Sequence, residues 1–564
     1  MKRKYAMLVT GLLSVAVVVA ACSKEEPAGA NGSTSAKRGK INVSVYDRGN
    51  IAASEGTIEN NRWTKWINEN GPVDVSFTAI PRNNAKEKVN TLFSSGSAPD
   101  LLFEYSPEIK NPLYAQKQLM PIDDMINKYS TVYKKLLEQT PALKKAGLKA
   151  DGKLYEFGKL NEAMPTNILV MRQDWLKKLN LQMPKTTEEL YQVAKAFAER
   201  DPDGNGQKDT YGFNLGNNVL TYEIFGADIL VSDAPYSMYA YKMENGVPVK
   251  SWSGDKAYAD FAKRLVDEGI ADKDFATDKN GAKARQAFLN GKLGIYAVQA
   301  NSYPLWNQLW ITDYATLKKS ASEAELTVMA VPKSPDGQYM GRINNPVQMT
   351  AVVNADAKDP ESVMKYVDFL SKPETGMTLT YGLEGVHWSK GANGCPVAID
   401  PNKNKTEVDY KTLDFDMVFS VAAGGKCTYV ASSFDGDKPE QKYAEDMYKQ
   451  DLQQMDELIQ QNAQYPSLTH HEHLPTVPSE LLVDATNADK EIKSIWTKAI
   501  LGGASYSTDK ALTDVQVVWA KYNGKKIEEF YQNWYKNAND TTIMPKDIYG
   551  IVKDQSKTQD ELLK

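Results

Sequence analysis

Residues 41–105 read INVSVYDRGNIAASEGTIENNRWTKWINENGPVDVSFTAIPRNNAKEKVNTLFSSGSAPDLLFEY. INVSVY (41–46) and VDVSFTA (73–79) alternate apolar and polar side chains at the two-residue period of a strand. Between them, a tryptophan-bearing segment around Asn61 to Trp66 has helical character. Ala85, Val89, Leu92 and Phe93 form the face of a second helix, which Ser95-Gly96 ends before Pro99-Asp100 leads into the apolar run Leu101-Leu102-Phe103. This β-α-β-α-β alternation predicts an α/β fold, a mainly parallel sheet flanked by helices whose ligands gather at the carboxyl ends of the strands. Asp47-Arg48 follow the first strand and Glu104-Tyr105 the third. All four are candidate ligand contacts.

The same logic restarts further along. RQDWLKKLNLQMPKTTEELYQVAKAFAERDPDGNGQKDTYG, residues 172–212, contains a T-x-x-E capping box at Thr186 and Glu189, in which hydroxyl and carboxylate each satisfy a backbone donor at a helix start. Leu190, Val193, Ala194 and Phe197 then recur at helical spacing. The loop after this helix places oxygens at alternate positions in Asp201, Asp203, Asn205 and Asp209, with the Gln207 carbonyl between them and Gly206 at the turn. A calcium loop supplies ligands at positions 1, 3, 5, 7 and 9 around a glycine at 6, and five positions fit. The twelfth, which carries a bidentate Glu in an EF-hand, is Gly212. The other reading is an Asp/Asn/Gly-rich surface turn. A bound ion would be structural, since neither a histidine nor a nucleophile accompanies it.

Tyr258, Phe261, Ala262 and Leu265 form another helix face, and Asn290-Gly291 turns into a strand from Leu293 to Val298. QANSYPLWNQLW follows directly, so Tyr303, Trp306 and Trp310 are candidates for stacking on the C–H face of a sugar, against the alternative that they anchor a core. Leu326 to Val331 and Asn344 to Asn354 read as strands, Asp359-Pro360 open a helix, and YGLEGVHWSK (381–390) offers Glu384 and Trp388. Tyr443 to Ile459 is a long amphipathic helix.

The first 21 residues have a basic start, Lys2-Arg3-Lys4, and an apolar run to Ala21, the pattern of a secretion signal. Val-Ala-Ala-Cys at 19–22 has the small residues and thiol of a lipobox, which predicts a diacylglycerol on Cys22, two acyl chains being enough for stable anchoring. Residues 22–40 are a flexible tether. The net charge is -5 with both signs interspersed, and no basic tract suggests nucleic acid. Ten Trp and thirty Tyr are many for a chain of mean hydropathy -0.50. Beyond Cys22 the only cysteines are Cys395 and Cys427, either a disulfide or two buried thiols.

Signals for catalysis are missing. His470-His471-Glu472-His473 lacks the H-E-x-x-H spacing and sits beside Pro475 and Pro478, which favours a solvated loop over a zinc site. No G-x-S-x-G, P-loop or dinucleotide fingerprint follows a strand. A pair of glycosidase carboxylates needs only proximity in space, so a surface glycan hydrolase stands as one alternative. A sensor or structural lipoprotein stands as the other.

Taken in order, VAAC (19–22), LFSSGSAPDLLF (92–103), DGKLYEFG (151–158), RQDWLKKLNLQMPKTTEEL with DPDGNGQKDTYGF, AFLNGKLGIYA (287–297) and YGLEGVHW are similar to the extracellular solute-binding lipoproteins of bacterial ABC importers. The likeness is to the large carbohydrate-type class that includes alginate-oligosaccharide-binding proteins and the lipoproteins called LplA. It covers nearly the whole mature chain. It implies a monomeric, non-enzymatic protein on the outer face of the cell membrane, with two α/β lobes like those of periplasmic binding proteins and an oligosaccharide held between them for an ABC permease pair. Crossings are expected near Leu160 to Thr166, Gly341 and Gly394. One lobe then spans 41–163 plus 342–394, the other 164–341 plus 395–564. Asp47, Arg48, Glu104, Glu162 or Glu384 would hold hydroxyls, and Trp306, Trp310 or Trp388 ring faces. In relatives the DPDGNG-type loop binds calcium, often with an acid where Thr210 stands here.

Overall fold

The computed structural model describes residues 38–161, 167–215, 221–222, 224–227, 241–278, 280–299, 305–306, 308–335, 345–391, 394–411, 414–417, 439–462 and 473–551. The signal segment, Cys22, Glu162, Tyr303, Gly341, Cys427 and His470 to Glu472 lie outside these residues.

The strands are β1 (Lys40–Asp47), β2 (Asp74–Pro81), β3 (Leu101–Glu104), β4 (Glu156–Gly158), β5 (Asn167–Arg172), β6 (Tyr211–Phe213), β7 (Tyr241–Glu244), β8 (Val247–Lys250), β9 (Leu293–Gln299), β10 (Leu326–Met329), β11 (Thr350–Val353), β12 (Trp388–Lys390) and β13 (Pro396–Ala398). Among the described residues they form a five-stranded sheet, β2-β1-β3-β11-β4, a four-stranded sheet, β10-β5-β9-β6, and two hairpins.

Local chemistry explains the element starts. Asn61 caps the helix Arg62–Asn70 by accepting from the backbone N–H of Trp63 and Thr64. The Thr186–Glu189 box opens the helix Thr187–Glu199, and Asp359 caps the helix Pro360–Leu370. β1 pairs parallel with β2 and β3, as the alternation predicts. The expectation of mainly parallel sheets is corrected elsewhere. β11 runs antiparallel to both β3 and β4, and in the second sheet only β6–β9 is parallel. Parallel neighbours require a crossover helix, and β11 enters the first sheet after the chain returns from the second, so no such crossover sets its direction. The predicted strand from Asn344 to Asn354 is ordered as strand only over β11.

The second sheet is buried on both faces. Ile168 and Val170 join one apolar cluster, shared with Val43, Leu101 and Ala351 of the first sheet, while Leu169 and Met171 join another around Phe197, Phe213 and Ile295. Each such side chain contributes about 1.5–3 kcal/mol of burial.

Beyond β13 the chain still packs on the first sheet's elements: Trp63 Nε1 donates to Glu407 O at 2.7 Å, Arg62 pairs with Glu407, and Phe415 meets Phe77 with ring centroids 5.8 Å apart. Sequence alone could not place this excursion, because its contacts lie more than 300 positions away. No helix among the described residues is long and apolar enough to cross a membrane.

Candidate functional site

Strands β1, β2 and β3 end side by side, and each delivers a polar side chain to the same cluster. Arg48 donates from Nε and Nη2 to Asp414 Oδ2 and Oδ1 at 2.7 and 2.9 Å, and from Nη2 to the Tyr105 hydroxyl at 3.1 Å. Tyr46 donates to Glu104 Oε2 at 2.6 Å, and the other Glu104 oxygen accepts from Ser106 N at 2.7 Å, at the start of the helix Pro107–Ala115. The guanidinium of Arg82, directly after β2, lies 5.0 Å from the Tyr46 ring and 4.9 Å from that of Tyr105. Burial and the Asp414 carboxylate push the Tyr105 hydroxyl up to about 12 against the opposing Arg48, so it stays a neutral donor and acceptor. Asp47 lies half-buried and accepts from Gly49 N. Of the predicted quartet, Arg48, Glu104 and Tyr105 are thus brought together around Tyr46. Arg82 and Asp414 complete the cluster, and the sequence reading missed both. A residue just past a strand's carboxyl end was the available signal for Arg82.

Thr350 lies opposite both Glu104 and Gly158 in the first sheet and lines a cavity of about 570 Å³. That volume is within the range of small-molecule sites. Its floor is Lys110, Lys149 and Glu156; its far wall is Trp534 and Asn537 on the helix Gly524–Thr541, with His473 beside them. Lys110 Nζ and Lys149 Nζ meet the two oxygens of Glu156 at 2.7 and 2.5 Å. Burial opposes ionisation of Glu156, but these two ammoniums outweigh it and hold the carboxyl well below its usual range. Asn345 uses its carbonyl for Val347 N, so its amide donates to His473 Nε2 at 2.9 Å and leaves the ring proton on Nδ1. His473 therefore lines the cavity rather than a solvated loop. Half-buried Trp534 is the aromatic that faces this space.

The tryptophans expected to do so are elsewhere. Trp306 and Trp310 are fully buried, with centroids 5.9 Å apart, packed on Tyr448 at 5.3 Å and Tyr443 at 5.9 Å from the helix Pro439–Asn462. That helix, more than 130 positions later, covers the face that the local sequence leaves open. Trp388 is buried too, its indole N–H donating to Gly382 O at 2.9 Å. Glu384 is exposed and turned towards Lys390 at 3.8 Å.

Close to the cluster, separate passages of the chain run side by side. Leu160 N donates to Met417 O at 3.3 Å and Asn161 N to Pro346 O at 2.8 Å, and Lys159 Nζ meets Asp416 Oδ1 at 2.6 Å with both side chains buried.

In the oxygen-rich loop, Asp201 accepts from Asn205 N and Gly206 N, while Lys292 Nζ sits 2.8 Å from Asp203 Oδ2 and 2.7 Å from Asp209 Oδ2. Asp203 Oδ1 is buried without a hydrogen-bond partner, a lone pair that a second cation would satisfy. The residues therefore fit a cation. Among the described residues no three acidic, imidazole or thiol side chains converge by themselves, so the Gln207 carbonyl and water would have to complete the shell. The twelfth position cannot help. A Cβ on Gly212 would lie 1.9 Å from Ala194 O, and Thr210 turns away to donate to Phe197 O at 2.7 Å.

The chain belongs to the bacterial extracellular solute-binding protein family, whose profile matches residues 56–377, more than half of its length. This is a family of binding proteins. The chain is similar to the polygalacturonan/rhamnogalacturonan-binding protein YtcQ of Bacillus subtilis (strain 168), 26% identical over 332 residues, 56% of this chain and 61% of YtcQ. It is also similar to the fructooligosaccharide ABC transporter substrate-binding protein FusA of Streptococcus pneumoniae serotype 4, 27% identical over 318 residues, 53% of this chain and 55% of FusA. Both matches thus span less than two thirds of those proteins. Among solved structures, an HMO-binding, ABC-transporter-associated solute-binding protein from Bifidobacterium longum infantis superposes with a TM-score of 0.65 at 17% identity, over 89% of this chain and 99% of that one. An EF-hand mutant of FusA with fructo-nystose does so with 0.60 at 18% identity, over the same shares. Together these likenesses establish the two-lobed solute-binding fold.

Proposed function

We propose that this protein is the capture component of a carbohydrate ABC importer. It takes up an oligosaccharide between its two lobes and presents it to a permease pair. What supports this reading is the polar cluster at the carboxyl ends of β1, β2 and β3, together with the cavity of about 570 Å³ that Thr350, the register partner of Glu104, lines with residues of the helix Gly524–Thr541. Arg48, Arg82, Glu104 and Asp47 supply charged and acceptor groups for sugar hydroxyls, and Trp534 a ring face. Arg48 is already held by Asp414 and Tyr105, so little ordering is left for binding to drive.

The adjoining passages at Leu160–Asn161, Pro346 and Met417 form the hinge. A sugar that touches both lobes favours the closed state by the difference in its affinity for the two states. Cys22 carries the lipid and residues 22–40 the slack that lets a monomer reach a permease from the membrane's outer face. Asp201, Asp203, Asn205, the Gln207 carbonyl and Asp209 hold calcium, which fixes the loop between the helix Thr187–Glu199 and β6. Cys395 pairs with Cys427.

Calorimetric titration with a panel of neutral and acidic oligosaccharides, read together with the radius of gyration in solution, tests the proposal. Saturable binding with a more compact ligand-bound form is expected, and the sugar is recovered intact. Chain cleavage would make the protein a hydrolase, and binding of no oligosaccharide would leave it a sensor or structural lipoprotein.

A further inference from the structure

We infer that the cavity beside Thr350 selects oligosaccharides bearing a carboxylate, as in a uronic acid unit; this rests on the binding function proposed above. The argument is one of charge. Lys110 and Lys149 share a single counter-ion, Glu156, and both its oxygens are already taken: Oε2 by Lys110 and by the Thr350 hydroxyl, Oε1 by Lys149. The third lysine of the lining, Lys145, is balanced by Asp547, whose oxygens lie 3.0 and 2.9 Å from its Nζ. Among the described residues of the lining and their ion-pair partners, three ammoniums against two carboxylates leave one positive charge. His473 does not add to it, because its Nε2 accepts from Asn345.

That surplus charge is poorly placed for water to stabilise it. The Lys110 side chain is 4% exposed and that of Lys149 15%, and a buried charge is costly unless paired. Among the described residues, Lys149 is further helped by Asn111 Oδ1 at 3.3 Å and by the Tyr114 ring at 5.9 Å. An ammonium has three donor hydrogens. Glu156 and Asn111 account for two of those on Lys149, the lysine of the pair with the greater exposure. A single surplus charge matches a monoanion such as a sugar carboxylate better than a phosphate dianion. Trp534 on the opposite wall would take the ring face of the same unit, and Asn537 and Thr541 its hydroxyls.

The test uses the full extracytoplasmic chain and calorimetric titration with trigalacturonate and trimannuronate, each beside its methyl ester, which keeps the skeleton and removes the charge. The better-bound acid is expected to exceed its ester at least tenfold in affinity, with the ratio shrinking as salt rises. Lys149→Gln, which leaves Lys110 and Glu156 matched one to one, is expected to bring the ratio down to about threefold or less, the acid losing more affinity than its ester. Equal binding of acid and ester, binding of neutral oligosaccharides alone, or inorganic phosphate or sulfate binding as tightly as the acid would each overturn the inference. Binding of no saccharide would instead overturn the proposed function beneath it.

Discussion

Calcium removal gives the sharpest check on the loop at Asp201–Asp209, because its expected effect is small and for a stated reason. The loop brings three carboxylates, Asp201, Asp203 and Asp209, and Lys292 already neutralises part of that charge by pairing with two of them. The bidentate acid of position 12 is replaced by Gly212, which the Ala194 backbone prevents from carrying any side chain. Affinity in such loops follows ligand charge count, which puts Kd at about 10⁻⁴–10⁻³ M, the range of extracellular modules. With calcium at about 10 mM, binding to the folded state alone then stabilises by about 1.4–2.7 kcal/mol. Unfolding entropy of about 2.1 cal/mol/K per residue turns this into a shift of only about 1–3 °C for a chain of this size. Differential scanning calorimetry with chelator and with a calcium series should show that shift setting in only above about 0.1 mM calcium and then growing with the logarithm of its concentration. Lys292→Gln removes one positive charge next to two ligand carboxylates, and at the dielectric of water this should tighten calcium binding about five- to thirtyfold. A shift that sets in at micromolar calcium in the parent protein, or no change of its onset in the variant, would refute this reasoning; no shift at any concentration would refute the calcium site itself.

Three further outcomes follow from burial. Trp306→Ala should lower the melting temperature by several degrees, since deleting a buried Trp costs about 3–5 kcal/mol, whereas Trp534→Ala should leave it nearly unchanged and weaken oligosaccharide binding about five- to tenfold in titration; the reverse pattern would return the sugar contact to Trp306. Burial pushes the Asp451 carboxyl up to about 8, so the folded state keeps a proton that the unfolded chain releases near pH 4. The stability of the parent is therefore whole below pH 4 and is lost as the pH rises towards 8, and melting curves of Asp451→Asn should match the parent near pH 4 and exceed it increasingly up to pH 8; a constant difference would contradict this. Cys395 is buried and disulfide-bonded, and non-reducing peptide mapping should recover its peptide joined to that of Cys427, with reduction of the unfolded chain and refolding under reductant costing on the order of 3.5 kcal/mol; separate peptides would exclude the pair.

What the sequence made legible is what local chemistry decides. The capping residues Thr186 and Asp359, the period of β1, the turn that opens β9 and the position of a side chain just past a parallel strand all depend on neighbours within a few residues, and each stands where the sequence predicts. The same locality explains the failures. Trp306 and Trp310 read as exposed only while the helix Pro439–Asn462 is ignored, and a carboxyl-end position could not reveal that their faces are covered from the other end of the chain. Trp534, on an amphipathic helix, carries no motif at all; it becomes a candidate only because Lys110, Thr350 and Glu156, from three separate elements of the first sheet's half, converge opposite it.

Asp414 to Met417 show why the cluster and the chain passages cannot be considered separately. Asp414 holds Arg48 bidentately in the cluster, Phe415 packs its ring against Phe77 of β2, Asp416 meets buried Lys159, and Met417 accepts from Leu160 N. Four successive residues thus connect the site's main guanidinium to the backbone passage beside it. A buried ion pair that loses one partner leaves an uncompensated charge and costs about 3–5 kcal/mol, so neither the Arg48–Asp414 nor the Lys159–Asp416 pair is free to break as the molecule moves. Any closure must carry this segment as a rigid piece of the first lobe and concentrate its backbone rotation beyond Met417 and Asn161. The Arg48 guanidinium then keeps its position relative to Tyr105 in every state.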